Sequence, residues 1–219
     1  MNKKTKRFKN QNVSEDTIAI KEINSYLNKV TDRNIDPICN EIKKRLVNKE
    51  YLTKYIIETI IEKSCIQPNY VHVYLDTITQ LFSHESKFNS LIEENIDSFY
   101  KKIKKEEINI DQSEYLQFCE KNKQLDILIG HSQLISECER RGIVKDKIEF
   151  IIDELMNVID ITEDINEKYK GVQCLYTILK TYYQNKNLPK YYLKKIQSCI
   201  KKEKSNKIKF KLMDIIDRK

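Results

Sequence analysis

Apolar residues recur every three or four positions along most of the chain, and short polar breaks separate the runs. Early examples are residues 38–46, 52–61 and 70–81. This spacing places the apolar side chains on one face of a helix. Each run is a few turns long, and no alternating strand pattern of convincing length is present. The pattern therefore predicts about ten short helices that fold back on one another as antiparallel pairs.

Several breaks between these runs carry helix start and stop signals. Ser14 precedes two acidic residues and is a predicted N-cap. We expect the second helix to begin at Thr31, with an alternative start at Asp36, where the next residue is a proline suited to the first turn. Pro68 ends one helix before the next begins. Gly142 is a predicted C′ cap.

The spacing of the helices predicts a repeat architecture. Two helices per unit, with a period of ~40–47 residues, divide the chain into about five units. The repeats share no strong sequence identity, so an irregular helical bundle is the alternative. Local pairs account for the whole chain, which favours an all-α, right-handed HEAT-like helical-repeat solenoid of antiparallel pairs forming a crescent. We expect residues 1–14 to be a disordered basic arm and residues 15–219 to be a single helical-repeat domain.

The composition limits the class of protein. Of the 219 residues, 40% are hydrophobic and 33% are charged, which is typical of a helical globular protein. Three glycines and three prolines are too few for an all-β fold. The chain has no apolar run of about 18 residues, so we predict no membrane span, and its basic N-terminus lacks the apolar core of a signal peptide. Six dispersed cysteines without a CxxC pair indicate buried reduced thiols and an intracellular location: Cys39, Cys65, Cys119, Cys138, Cys174 and Cys199.

The charge is modestly basic and is concentrated near the C-terminus. The formal net charge is +7, and residues 187–219 carry ten lysines and one arginine against three acids. This balance indicates contact with acidic partners or RNA, and a solvated lysine-rich helix face is the alternative. The frequent lysine, isoleucine and asparagine residues are typical of AT-rich genomes, such as those of protists or large DNA viruses.

The sequence offers little for catalysis. Its glycines are too scattered for a phosphate-binding loop, and its histidines lack metal-ligand spacing. Acidic pairs at residues 93–94 and 106–107 are typical of solvated helix faces. We therefore predict no catalytic residue, no metal, no cofactor and no small-molecule substrate. A binding module rather than an enzyme is expected.

Short segments along most of the chain resemble, in the same order, motifs of the middle domain of translation initiation factor 4G. Residues 26–31, followed by Ile35, resemble the "LNKLT…F" opening of that domain, and residues 68–70 with 73–74 resemble its "EPNF/Y…YA" turn. The segments that resemble its later motifs, including "FIGELFKRGLL" and "CLCRLLTT", are residues 88–91, 134–144, 174–181 and 205–217.

This resemblance implies a function. The family's domain is a five-repeat helical crescent that holds the two lobes of a DEAD-box RNA helicase, initiation factor 4A, in a productive arrangement. The helicase hydrolyses ATP and the scaffold does not. By resemblance, the chain is expected to be a cytoplasmic translation initiation scaffold that binds and stimulates such a helicase and contacts RNA weakly through its basic ends. The alternatives are an adaptor of RNA-decay or nuclear cap-binding type and a purely structural interaction module.

The resemblance also implies which residues make contacts. Those matching helicase-binding positions are Leu27, Asn28, Lys29, Val30, Ile35, Asn69 and Tyr70. For Leu27, Val30 and Ile35, plain core packing between the first two helices is the alternative to a helicase contact. Those matching a contact with the second helicase lobe or with RNA are Lys207, Lys209 and Phe210, for which a solvated helix face is the alternative.

The chain departs from the family pattern at several positions. Ser136 stands in place of a glycine and Glu139 in place of an aromatic residue. An arginine run expected before Gly130 is replaced by residues 125–127, which removes the RNA contacts expected there. No Tyr-x-x-x-x-Leu-hydrophobic peptide is present, so recruitment of a cap-binding protein by that peptide is not predicted.

Overall fold

The computed structural model describes residues 14–85, 88–105, 113–184 and 186–217. Residues 1–13 of the predicted arm, and most of the predicted exposed connection at 104–111, lie outside the described residues. The described ranges contain α-helices and no strand, which confirms the all-α prediction. The helices are α1 Glu15–Leu27, α2 Ile35–Leu46, α3 Thr53–Ile66, α4 Val71–Phe82, α5 Phe88–Lys105, α6 Glu114–Arg140, α7 Ile148–Ile161, α8 Ile165–Tyr182, α9 Lys190–Lys202 and α10 Asn206–Asp217.

The chain divides into two units, Met1–Thr53 and Lys54–Lys219. The expectation of a single domain over residues 15–219 stays a prediction. In the first unit α1 packs against α2. The predicted N-cap is confirmed, because the Ser14 hydroxyl accepts a 3.2 Å hydrogen bond from the Thr17 amide. Tyr51, near the last residue of the unit in sequence, contacts the start of α1, because its hydroxyl donates a 2.6 Å hydrogen bond to Asp16.

The predicted start of α2 at Thr31 is wrong, because the helix begins at Ile35. The side chain of Asn34 closes the loop that precedes it. Its Oδ1 accepts from the Thr31 amide at 2.7 Å, and its Nδ2 donates to the Lys29 carbonyl at 2.9 Å. A short polar side chain thus gives the backbone a hydrogen-bonded alternative to one more helical turn.

In the second unit, alternate helices stack on one another. α4 packs on α6, α6 on α8, and α8 on α10, while α5, α7 and α9 pair with the helix that follows each of them. Contacts between neighbouring pairs along a stack are the defining feature of a helical repeat. The predicted solenoid is therefore confirmed over the irregular bundle.

Two ion pairs show the period of the repeat. Lys195 lies 3.0 Å from Asp153, and Lys202 lies 3.1 Å from Asp160. Both pairs join α9 to α7, and both span 42 residues of sequence. Exposed pairs of this kind stabilise little. Their equal separation nevertheless falls within the predicted repeat length, although the repeats share no obvious sequence identity.

The predicted breaks in the second unit are confirmed. A 3-10 helix, Pro68–Tyr70, separates α3 from α4. Gly142 follows α6 with a φ of +72°, a conformation that glycine adopts without steric cost. The next amide, of Ile143, donates to the Cys138 carbonyl at 2.9 Å and closes the helix end.

Glu139, a departure from the family pattern, connects two helices. Its Oε2 accepts from the backbone amides of Lys147 at 2.9 Å and Ile148 at 2.8 Å. A side chain of α6 therefore caps the N-terminus of α7, where backbone amides have no partner within the helix. The negative charge also suits the positive end of the helix dipole.

Replacing Glu139 should measure the contribution of this cap. We expect Glu139→Ala to lower the free energy of unfolding by about 1–2 kcal/mol, because two amides lose their acceptor. Glu139→Gln keeps an acceptor oxygen and should lose less than half as much. Urea titrations followed by circular dichroism would compare the variants. Equal stability of the alanine variant and the wild type would contradict the capping role.

Candidate partner-binding surfaces

The first group of predicted contact residues lies at the corner between α1 and α2. Leu27 and Val30 are buried and Ile35 is half-buried, so these three side chains have a packing role. Asn28 and Lys29 are exposed at the C-terminal end of α1. At this corner the side chains of Asn28 and Lys29 are therefore accessible to a partner, whereas the apolar side chains stabilise the corner by packing.

A charged cluster holds the two helices of this corner together. Arg45 of α2 lies 2.7 Å from Glu22 of α1 and 3.2 Å from Glu41 on its own helix. Its guanidinium also lies 5.8 Å from the centre of the Tyr26 ring. Hydrogen bonding to Lys44 lowers the pKa of Glu41, and the charge of Arg45 acts in the same direction. Glu41 thus stays ionised at neutral pH.

The second group lies on the turn between α3 and α4. Asn69 is exposed, and Tyr70 is 49% exposed. Sequence reasoning missed their neighbour Ile66, an exposed apolar residue at the end of α3. Together, Ile66, Asn69 and Tyr70 form the α3–α4 turn surface.

Two side chains hold this turn in place. Gln133 of α6 donates from Nε2 to the Pro68 carbonyl at 3.0 Å. The Tyr74 hydroxyl of α4 donates to Gln67 Oε1 at 2.7 Å. The first bond holds the first residue of the 3-10 helix, and the second joins the residue before this helix to α4 after it, so the exposed Asn69 and Tyr70 sit on a fixed support. Such preorganisation reduces the entropy lost on binding.

The third group lies on α10. Phe210 is 62% exposed, while Lys209 is half-buried. Lys207 places its Nζ 3.7 Å from the centre of the Tyr169 ring, and Lys211 does the same at 3.5 Å over Tyr176. The two lysines are four residues apart and the two tyrosines seven, so each set follows one helix face. We call Lys207, Lys209 and Phe210 the α10 surface.

The structure does not bring the second and third groups together. The α3–α4 turn surface precedes α4, and the α10 surface lies three steps further along the stack of α4, α6, α8 and α10. The second unit thus presents two distinct contact surfaces rather than one cleft.

A cavity of about 550 Å³ lies among α5, α6, α7 and α8. His131 on its wall is buried, and its Nε2 lies 3.3 Å from the Ile96 carbonyl. Burial lowers the pKa of His131 to about 4, so the ring is neutral at physiological pH. Within the described ranges, no three histidine, cysteine or carboxylate side chains are arranged to hold a metal ion.

Most of the cysteine side chains are shielded from solvent. Four of the six thiols are buried as predicted, Cys199 is half-buried, and Cys119 is exposed on α6, which differs from the prediction. Burial raises the pKa of Cys39 to about 11 and that of Cys138 to about 12.

Of the helices in the described part of the chain, none combines the length and the apolar character needed to cross a bilayer.

Stacked helix pairs with exposed residues at their corners define a helical-repeat interaction scaffold. The sequence profile of the MIF4G domain matches residues 20–219, and the chain belongs to this family. MIF4G domains are non-catalytic helical scaffolds that mediate protein and RNA interactions, and they occur in initiation factor 4G and in nuclear cap-binding and RNA-decay proteins. A search of curated proteins finds no match to the chain.

Proposed function

We propose that this chain is a cytoplasmic translation initiation scaffold. It binds a DEAD-box RNA helicase of the initiation factor 4A type and stimulates its ATPase by holding the two helicase lobes in a productive arrangement. The observation that carries this proposal is the pair of exposed aromatic residues on the second unit, Tyr70 and Phe210. They lie at opposite ends of the stack of α4, α6, α8 and α10, which suits a partner made of two lobes.

Each surface has a part in this proposal. The α3–α4 turn surface of the second unit contacts one lobe. The exposed polar pair Asn28 and Lys29, on the first unit, is a further helicase contact. The α10 surface contacts the other lobe, through Phe210 and the lysines beside it, and the protein also touches RNA weakly. Leu27, Val30 and Ile35 act indirectly, since their packing positions the corner that carries the polar pair.

The stimulation follows from differential affinity. A scaffold that contacts both lobes binds most tightly to the interlobe arrangement that its two surfaces fit, and so increases the population of that arrangement. A tenfold increase in that population requires about 1.4 kcal/mol of differential binding. One exposed aromatic contact at each surface supplies energy of this order.

The test is the RNA-stimulated ATPase rate of an initiation factor 4A-type helicase, with and without the protein. We expect a several-fold stimulation that Tyr70→Asp and Phe210→Asp each reduce by more than half. The matched control is Phe118→Asp, because Phe118 has the same 62% exposure as Phe210 and lies outside the proposed contact surfaces. This control variant should stimulate like the wild type. Circular dichroism would establish that all three variants fold.

Other outcomes would change the conclusion. Neither stimulation nor binding at micromolar concentrations would exclude the initiation role. Binding to a different helicase would favour a scaffold of RNA-decay or nuclear cap-binding type. Partner binding that is insensitive to salt and needs no RNA would favour a purely structural adaptor.

A further inference from the structure

Charge is segregated between two neighbouring helices of the second unit. α7 contains four acidic residues and no basic residue, whereas α9 contains five lysines and no acid. The two helices pack together, and Asp153 and Asp160 pair with only two of those lysines. The other three have no such partner on α7: Lys190, Lys194 and Lys201.

These three lysines lie on one face of α9. Their separations of four and seven residues correspond to about one and two helical turns. All three are exposed, and none forms an ion pair with a carboxylate in the part of the chain that the structure describes. With a rise of about 1.5 Å per residue, the lysine row of Lys190, Lys194 and Lys201 extends over about 16 Å.

An exposed aromatic ring accompanies the lysine row. Tyr191 is 56% exposed. The Lys195 ammonium lies 4.6 Å from the centre of this ring and 3.0 Å from Asp153. The salt bridge fixes the lysine, and the cation–π contact orients the ring. A held, exposed ring beside a row of cations combines the two elements with which proteins bind single-stranded nucleic acid.

The lysines of α10 form an alternative basic surface, but they are less available for binding nucleic acid. Lys207 and Lys211 lie against the rings of Tyr169 and Tyr176, and Lys211 is also 3.6 Å from Asp214. A protein partner for α9 is disfavoured for two reasons. The cores of protein interfaces are depleted in lysine. In addition, Tyr191 is the one exposed large apolar residue that α9 offers beside the lysine row.

We propose that the lysine row and Tyr191 form the surface on which this protein holds single-stranded RNA. The three ammonium groups contact successive backbone phosphates, and a base stacks on the Tyr191 ring. The proposal assigns the weak RNA contact of the proposed function to α9, rather than to the α10 residues that the family resemblance implies. It rests on that part of the function alone and holds without the helicase.

The test is binding of a fluorescent 20-nucleotide uridine-rich RNA to the protein without helicase, followed by anisotropy. The triple variant Lys190→Glu, Lys194→Glu, Lys201→Glu should bind at least tenfold more weakly. Its slope of log affinity against log salt should fall by about two, since each lost phosphate contact on a single strand contributes about 0.7. The proposal is overturned if affinity and slope stay unchanged.

A charge-matched control separates the surface from the net charge. Lys121, Lys123 and Lys145 are also exposed and belong to the same unit. Reversing all three to glutamate changes the net charge equally, and should weaken RNA binding less than threefold. An equal loss in both triple variants would show that affinity follows net charge, and would overturn the proposal.

Substitution of Tyr191 distinguishes the binding of nucleic acid from the binding of a simple polyanion. Tyr191→Leu should weaken RNA binding about fivefold and leave inorganic polyphosphate binding unchanged, because polyphosphate has no base to stack. Tyr115→Leu, at another exposed tyrosine, serves as the control. Equal effects on both ligands would overturn the stacking role. Because no helicase is present, a loss of RNA binding and a failure to stimulate ATPase are separate results.

Discussion

We expect Gly130→Ala to lower the melting temperature by about 6–12 °C, the largest stability effect of any substitution proposed for this chain. At Gly130, α6 crosses α3 with no room for a methyl group. A Cβ atom at this position would lie 1.9 Å from the Cys65 carbonyl oxygen and 2.7 Å from its carbonyl carbon. Both are backbone atoms of the buried residue Cys65, so no side-chain rotation relieves the clash.

Two opposing effects decide the magnitude. Alanine is the better helix former by about 1 kcal/mol, which favours the variant. Overpacking costs about 1–3 kcal/mol where side chains can shift, and more where a backbone must move. Here the two helices would have to separate, which would loosen the packing around the buried Cys65. A net loss of about 3 kcal/mol follows, and this corresponds to the expected change in melting temperature.

Gly171→Ala is the matched control. Gly171 is also buried within a helix, but a Cβ there would meet a side-chain atom, Cγ1 of Ile159, at 3.3 Å. A small shift of that side chain offsets the gain in helix propensity, so the melting temperature should change by less than about 3 °C. If Gly130→Ala melted no lower than Gly171→Ala, the close crossing of α3 and α6 would be disproved.

These glycines show where sequence reasoning stops. The spacing of apolar residues was sufficient to predict the helices and the repeat, because it depends on the face that each helix buries. Gly130 could be identified only as too isolated for a phosphate loop. Its role depends on Cys65, 65 positions earlier, and no local pattern encodes that crossing. Likewise, the start of α2 was misplaced because the Asn34 side chain bonds back to its own loop.

The candidate surfaces were predictable to a similar extent. Pro68 and the family resemblance together located the exposed turn at Asn69 and Tyr70. The burial of Leu27 and Val30 could not be derived, since apolar residues at a helix end suit both a core and a contact. The stacking of Lys207 on Tyr169 joins two helices, so it too required the structure.

A second large effect is expected from pH. Burial of His131 lowers its pKa from 6.5 to about 4, while the hydrogen bond to the Ile96 carbonyl and the charge of Asp97 act in the opposite direction. Between these two values the unfolded chain binds a proton at this residue that the folded chain does not. Stability therefore falls as the pH drops below about 6.5, and the loss is complete below about 4. From pH 7 to pH 5, His131 should remove about 2 kcal/mol of stability.

Urea unfolding of the wild type and of His131→Gln, at pH 7, 6 and 5, would measure this loss. Glutamine has no proton to gain and keeps a hydrogen-bond donor, so groups that titrate elsewhere affect both proteins alike and cancel in the difference. The wild type should lose about 2 kcal/mol more than the variant over this interval, because only its unfolded state gains the imidazole proton. His72→Gln, at an exposed histidine of α4, should follow the wild type. Parallel pH curves for the wild type and His131→Gln would show that the buried ring is protonated at little cost.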